Sequence, residues 1–250
     1  MNKEQLIKLG SQTAKSGFQN EDDVVKKFNN WETDEDAQKW LKIMGYNLRE
    51  IEYIKAVKVS GYKTDVQVQV TIKLKIEIDV ENLQVKLVSN PKGFNQIDKR
   101  WINAYVKMWD IPNNIAKLLR YFTGEISPYR RDTKDSRRMF ANEFSLEEQQ
   151  LLLDFIRNNQ CLIINDVLKG RGKFAAEWML VIQKISRNSR WILRSMNYVI
   201  NYFGNGEVLI TNRGSIKIKR ITIQRKGGDG GRDTAKMLQF KINPAELFED

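Results

Sequence analysis

Asp65-Val66-Gln67-Val68-Gln69-Val70 is the stretch on which the fold turns. Valines at 66, 68 and 70 alternate with polar side chains, the two-residue period of a strand with one buried face. The same alternation runs through Ile76-Glu77-Ile78-Asp79 and Val85-Lys86-Leu87-Val88. Tyr53 to Ser89 therefore reads as a meander of three strands, with turns near Gly61 and at Glu81-Asn82. Before it, to about residue 60, the chain reads in outline as helical. Asp34-Glu35-Asp36 opens a run in which Ala37, Trp40, Leu41 and Met44 recur at helical spacing, and Gly45 closes it.

Downstream, Asn90-Pro91-Lys92-Gly93-Phe94 is a breaker-rich loop with an apolar tip. Helical patterns are expected from Ile97 to Trp109 and again after Pro112. Tyr129 to Lys134 forms a charged connector, and Ser145 with Glu148 makes a capping box before Leu151. Glu177 to Ile185 fits either a buried strand or a helix, whereas Trp191 to Phe203 reads as a helix stopping at Gly204. The last forty or so residues turn to β at Val208-Leu209-Ile210, Ile216-Lys217-Ile218, Ile221-Thr222-Ile223 and Met237 to Ile242. The expected class is α+β (α/β), a mixed central sheet flanked by helices with a basic, β-rich C-terminal region. No repeat or long linker is evident. One domain is expected, with a core at about residues 1–125 and an accessory part at about 126–250.

Hydrophobic residues make up 41% of the 250, enough to build a core of that size. Forty-two Lys and Arg against 31 Asp and Glu leave a charge of +11, which favours a polyanionic partner, although a merely basic protein would show it too. There is no histidine, which excludes Ser-His-Asp and Cys-His catalysis and His-ligated zinc. The single Cys161 sits in the apolar run Cys161-Leu162-Ile163-Ile164 and reads as packing. The polar start, Met1 to Gly10, and the lack of a long apolar run point to a cytoplasmic protein without a membrane span. Hydrolytic chemistry in such a chain falls to carboxylates, amides, Lys and an oxygen-seeking metal such as Mg²⁺.

Metal-assisted phosphodiester hydrolysis needs a carboxylate, further oxygen ligands and a Lys. A hairpin delivers them economically, with a carboxylate at the start of one strand and an oxygen ligand two residues from a Lys on its neighbour. Asp65, then Gln84 and Lys86, match that spacing, with the Val85 carbonyl a further oxygen. Gln84 stands where a second carboxylate is usual, which weakens the charge but keeps an amide oxygen. A solvated strand with Gln and Lys is the plainer alternative. The acidic Glu21-Asp22-Asp23 adds either another ligand or an ordinary helix N-terminus.

Two further segments carry binding chemistry. Phe94, beside Asn95 and Gln96 on a polar loop, suits an apolar wedge flanked by side chains that bond base edges; alternatively Phe94 packs inward. Lys217, Lys219, Arg220, Gln224, Arg225, Lys226 and Arg232 make a basic ribbon with a Gly-rich tip, a width that fits the major groove.

These residues together resemble the HinP-type restriction endonucleases. The likeness rests on Ser60-Gly61-Tyr62-Lys63-Thr64-Asp65, Gln84 to Asn90, Gly93-Phe94-Asn95-Gln96-Ile97-Asp98-Lys99, Gly170-Arg171-Gly172, Phe174 to Trp178 and Gln224 to Asp229. It runs from Leu9-Gly10-Ser11 to Leu238-Gln239-Phe240-Lys241-Ile242. The resemblance implies a PD-(D/E)xK nuclease fold and Mg²⁺-dependent cutting of double-stranded GCGC after its first G, leaving a 5′ CG overhang. It implies Asp65 as central metal ligand, completed by Gln84 and the Val85 carbonyl, with Lys86 as catalytic lysine. Phe94 would wedge into the minor groove with Gln96 and Lys99 near the bases. Gln224, Arg225 and Lys226 would supply major-groove readout, and Thr64, standing where the pattern has Ser, would be a further DNA contact. A monomer or a homodimer would serve, with a DNA methyltransferase as genetic partner. The rival functions are a repressor-like DNA-binding protein without catalysis, a nuclease acting on RNA or on particular structures, and a basic structural protein.

Overall fold

The computed structural model describes residues 3–72, 78–90, 93–185, 188–228 and 232–249, with the backbone alone for residues 3–14, 72 and 188. The chain forms two compact units of interleaved segments: Ser11–Gly93, Leu168–Val199 and Pro244–Asp250 in one, and Met1–Gly10, Phe94–Val167 and Ile200–Asn243 in the other. Both draw on chain from either side of residue 125.

The first unit is built on a mixed sheet. Its strands are β1 (Ile51–Lys58), β2 (Val66–Ile72), β3 (Ile78–Val88), β5 (Trp178–Ile185) and β6 (Asn188–Ser195), in that spatial order. All neighbours are antiparallel except β3 and β5, which run parallel. Val66, Val68 and Val70 are fully buried, as their alternation requires. They meet Leu83, Val85, Leu180 and Ile182 in one cluster with Val24 and Phe28 of helix α1 (Lys3–Asn29) and Trp40 and Leu41 of helix α2 (Glu35–Ile43). Burying an aromatic or branched side chain of this kind stabilises the fold by about 1.5–3 kcal/mol each. Helix α2 starts where the sequence signals it: Asp34 accepts from the Ala37 amide at 3.0 Å, and Glu35 and Asp36 occupy the first turn.

Helices α3 (Ile102–Trp109), α4 (Asn113–Thr123), α5 (Leu146–Asn158) and α6 (Gln160–Leu168) belong to the second unit, except for the last residue of α6. Helix α7 (Met196–Gly204) carries the chain into it. Its sheet is wholly antiparallel, in the order β4 (Asn95–Arg100), β10 (Leu238–Ile242), β9 (Ile221–Arg225), β8 (Ile216–Ile218) and β7 (Val208–Ile210). The capping box opening α5 is present, with Ser145 and Glu148 each bonded to the other's backbone.

Five expectations are corrected. The helical reading to about residue 60 ends early, because residues 51–58 form strand β1. There is no turn at Glu81-Asn82: β3 runs through both, opposite Val68 and Gln67. The polar pair stays in the strand because the Glu81 carboxylate accepts from the Tyr46 hydroxyl at 2.8 Å and the Trp178 indole at 2.6 Å. Ile76 and Glu77 lie outside the described residues, as do Pro91 and Lys92 and the tip residues Asp229 to Gly231. Residues 97–100 extend β4 along β10, far away in sequence, and the helix begins only at Ile102. Residues 191–195 likewise pair with β5 before α7 begins. In both places strand pairing overrides local helical spacing, for residues 97–100 with a strand far away in sequence and for residues 191–195 with the strand just before. Cys161, finally, is exposed on α6 while Ile163 and Ile164 are buried, because neighbouring positions of a helix face different ways. The undecided stretch from Glu177 to Ile185 is strand β5, beginning at Trp178.

Candidate active site

Gly61, at φ +82, takes the chain from β1 round towards β2, and Asp65 ends that connection. Its backbone is pinned on both sides: the amide donates to the Leu83 carbonyl at 2.8 Å, and the carbonyl accepts from Val59 at 3.0 Å. Val66 pairs with Leu83, so the register carried back one residue sets Asp65 opposite Gln84, on the face away from the valine core. Asp65 Oδ2 accepts from the Val85 amide at 2.7 Å and lies 3.8 Å from Lys86 Nζ. Strand alternation puts Gln84 and Lys86 on that same face. The structure thus brings Asp65, Gln84, Val85 and Lys86 together across two neighbouring strands.

Gln84 is 2% exposed, and its Oε1 is a buried acceptor with no hydrogen-bond partner among the described residues. Leaving such an atom unpaired costs about 1–3 kcal/mol, so its retention beside a carboxylate calls for an explanation other than packing. A hard cation supplies one. An amide oxygen, a carboxylate oxygen and a main-chain carbonyl are the donor types that Mg²⁺ and Ca²⁺ take. Among the described residues no trio of acidic, imidazole or thiol side chains gathers, here or elsewhere, so the amide and main-chain oxygens would have to complete the donor set.

Glu21 joins this site from α1. Burial, and then the charge of Asp65, raises its carboxyl above the ordinary value, while Lys58 and Lys86 act the other way. Lys58 Nζ stands 3.3 Å from Glu21 and 3.2 Å from Asp22; Asp23 pairs with Lys184 at 3.4 Å. Helix α1 begins at Lys3, so the acidic run is not a helix N-terminus. Its spacing gives no hint of this role: only the fold of α1 against the sheet brings Glu21 within range of Asp65.

Thr64 is placed differently from the expectation. It is wholly buried, and its hydroxyl donates to the Phe174 carbonyl at 2.8 Å, which steadies the backbone before Asp65 and leaves no surface for DNA.

The binding candidates lie in the antiparallel unit. Phe94 is 51% exposed and does not pack inward. Gln96 and Lys99 are exposed on the edge strand β4, and Asn95 is half-buried. A bulge between Phe240 and Lys241 in the pairing breaks strict alternation there, burying Ile97 and Asp98 consecutively. Gln224 and Arg225 end β9, opposite Gln239 and Leu238, and Lys226 follows, donating its amide to the Met237 carbonyl at 2.8 Å. Strand β10 separates β4 from β9, so the loop and ribbon candidates share one sheet about 10 Å apart. Arg232 is exposed beyond the ribbon.

The R.HinP1I restriction endonuclease family model matches residues 44–248. The chain belongs to that family. It is therefore a site-specific deoxyribonuclease of the restriction-endonuclease kind, and DNA is its substrate. Among solved structures, restriction endonuclease MspI in complex with its cognate DNA is similar, with TM-score 0.59 and 17% identity over 86% of this chain and 80% of that one. At that identity the likeness speaks for the fold, a restriction-endonuclease-like α+β core. No curated protein matches. Glu21 lies outside the matched residues. Among the described residues no helix is long and apolar enough to cross a membrane.

Proposed function

We propose that the protein is a Mg²⁺-dependent type II restriction endonuclease that cuts double-stranded GCGC after its first G, leaving a 5′ CG overhang. Catalysis belongs to the mixed-sheet unit and recognition to the antiparallel one. The observation that carries the catalytic part is the buried, unpartnered Gln84 Oε1 on the face that bears Asp65 and Lys86. The GCGC target and the cut position rest on the family resemblance.

Asp65, Gln84 and the Val85 carbonyl would hold the metal, with Glu21 adding negative charge nearby. Mg²⁺, when bound there, supplies Lewis-acid neutralisation of the phosphate's charge. The remaining work belongs to the chain. The Val85 amide fixes the rotamer of Asp65 at 2.7 Å, so that the carboxylate is oriented before substrate arrives. Lys86 Nζ, held on the same face, donates to a phosphate oxygen or to the attacking water as negative charge grows. Hydrolysis joins the water oxygen to phosphorus and expels one ester oxygen with the electron pair of the broken bond. Phe94, Asn95, Gln96 and Lys99 act from the minor groove, and Gln224, Arg225, Lys226 and Arg232 from the major groove. Cutting both strands of a palindrome takes a homodimer or two successive nicks by a monomer. A DNA methyltransferase would protect the same site in the cytoplasm of the prokaryotic host.

The test is digestion of a plasmid of known sequence with Mg²⁺, an EDTA control, and sequencing of the fragment ends. Discrete metal-dependent fragments ending in 5′ CG at GCGC are expected. Discrete ends elsewhere would keep the enzyme and discard the target, while tight duplex binding with no cutting would mean that Gln84 marks a disabled site and the repressor-like reading wins.

A further inference from the structure

In the antiparallel unit a turn before α5 brings Asp135, Arg137 and Arg138 to the wall of a cleft of about 440 Å³, opposite Arg225 of β9 and beside Arg232 and Lys236. Among the described residues five cations there face two carboxylates, Asp135 and Asp233. Asp135 is divided between two guanidinium groups, at 2.8 Å from Arg137 and 3.6 Å from Arg138. Lys236 takes up Asp233 at 3.0 Å. The cleft is left with an excess of positive charge.

Its arginines are held in place. The turn is tied to α4 by the Met139 amide on the Tyr121 carbonyl at 2.9 Å. The buried Glu143 carboxylate anchors it by accepting from the Lys134 and Phe140 amides at 2.7 and 2.6 Å. Arg138 stacks its guanidinium 3.9 Å from the Phe140 ring centre. Arg225 donates Nε to the Ala235 carbonyl at 3.0 Å, whereas its Nη1 is buried with no partner among the described residues. Gly124, at φ +79, makes room for the crowding: a Cβ there would stand 2.5 Å from the Arg137 carbonyl and 3.1 Å from Arg225 Nη1. A guanidinium that is desolvated, rigid and short of acceptors costs stability in the free protein. Burial and the neighbouring positive charges accordingly lower the affinity of Arg138 and Arg225 for their protons.

We propose that this cleft is a phosphate clamp, in which Arg137, Arg138 and Arg225 together receive a backbone phosphate of the DNA duplex. The planar donors suit phosphate oxygens. The assignment also changes what Arg225 does. With Nε bonded to the protein and Nη1 under Gly124, it lacks the free two-nitrogen edge that reads guanine. A contact of this kind fixes the register of the duplex on the protein and carries no sequence information. The inference rests on the reading of duplex DNA as substrate.

The test measures binding to duplexes with and without the mapped cut site, in Ca²⁺ and over a range of salt, for wild type, Arg138→Ala, Arg138→Lys and the surface variant Arg137→Ala. Thermal melting reports folding. Arg138→Ala is expected to weaken both duplexes by the same factor, about five- to tenfold, and to flatten the salt slope by about one. Arg137→Ala should weaken both about threefold, and Arg138→Lys should recover the slope because it keeps the charge. Loss confined to the duplex with the site would make Arg138 a base reader and overturn the clamp. Unchanged binding by both alanine variants, with wild type still cutting, would overturn it too and leave the nuclease reading standing. A wild type that binds neither duplex would sink both.

Discussion

The two sheets of this protein treat their charges in opposite ways. In the mixed sheet the proposed catalytic groups of the strands are fixed by register: Asp65 is bonded through both its backbone and its carboxylate, and Gln84 is buried beside it. In the antiparallel sheet Phe94, Gln96 and Lys99 stand exposed on an edge strand, and Gln224 to Lys226 follow one strand out to its end. Chemistry on a phosphate tolerates little misplacement and is built on interior strands, whereas readout of a duplex requires side chains that reach outward. Changes in the first sheet should therefore abolish cutting at little cost in binding. Changes in the second should weaken binding and lower cutting only in proportion.

The largest effect is expected from Asp65→Ala. It removes the carboxylate that both Val85 and Lys86 face, and cleavage should fall about 10³-fold or more, the loss of several kcal/mol of charge stabilisation. Binding in Ca²⁺ or EDTA should stay within about tenfold. Binding lost together with cutting would make Asp65 a structural residue and erase the contrast between the sheets.

Gln84→Met sharpens the contrast, because stability and activity should move in opposite directions. A side chain of similar volume removes the buried acceptor without a partner, so stability should rise by about 1 kcal/mol, or a few degrees in Tm. Cleavage should drop about 10²-fold at fixed Mg²⁺, partly recovered by more metal. A variant that melts lower and cuts normally would show that Gln84 is a packing residue.

Phe94→Ala belongs to the other sheet. At 51% exposure the ring adds little to the core, so Tm should hardly change, while site-specific cleavage falls about tenfold through the loss of a wedge contact of 1–2 kcal/mol. A clear fall in Tm with cleavage intact would mean that Phe94 packs in solution.

How far the sequence carried the reading follows the same division. Asp65, Gln84 and Lys86 are legible because they sit at fixed offsets in strands whose valines announce their period. The four C-terminal strands are legible for the same reason. Local pattern fails where strand pairing decides. Ile97 to Arg100 and Trp191 to Ser195 carry helical spacing and become strands because β10, far away in sequence, and β5, the strand just before, lie alongside them. Glu81 and Asn82 look like turn residues until Tyr46 and Trp178 are seen to hold Glu81 in the strand. Glu21 stands in the acidic run read as a candidate further ligand. Which of those carboxylates reaches Asp65 depends, like the gathering of the Asp135-turn arginines with Arg225, on segments far apart in the chain, and no spacing encodes that.

The smallest effect concerns Asp135, and it joins stability to binding. Hydrogen bonding to Arg137 holds its carboxyl at about 2, below the ordinary 3.8. A depressed carboxyl stabilises the fold fully above its ordinary value, and that contribution is lost as pH falls through about 4 towards 2. Asp135→Asn removes it, so the Tm of the variant should change less steeply than that of wild type between pH 5 and pH 2. The difference should be modest, since Arg137 stands out in solvent, where water and salt screen the pair. Parallel melting curves would show that the pair contributes nothing. At neutral pH the same substitution leaves the cleft one negative charge poorer and frees two guanidinium groups, so a phosphate clamp should hold duplex DNA more tightly even as the protein melts slightly earlier. Affinity that fell along with stability would instead make Asp135 a support for the turn and nothing more.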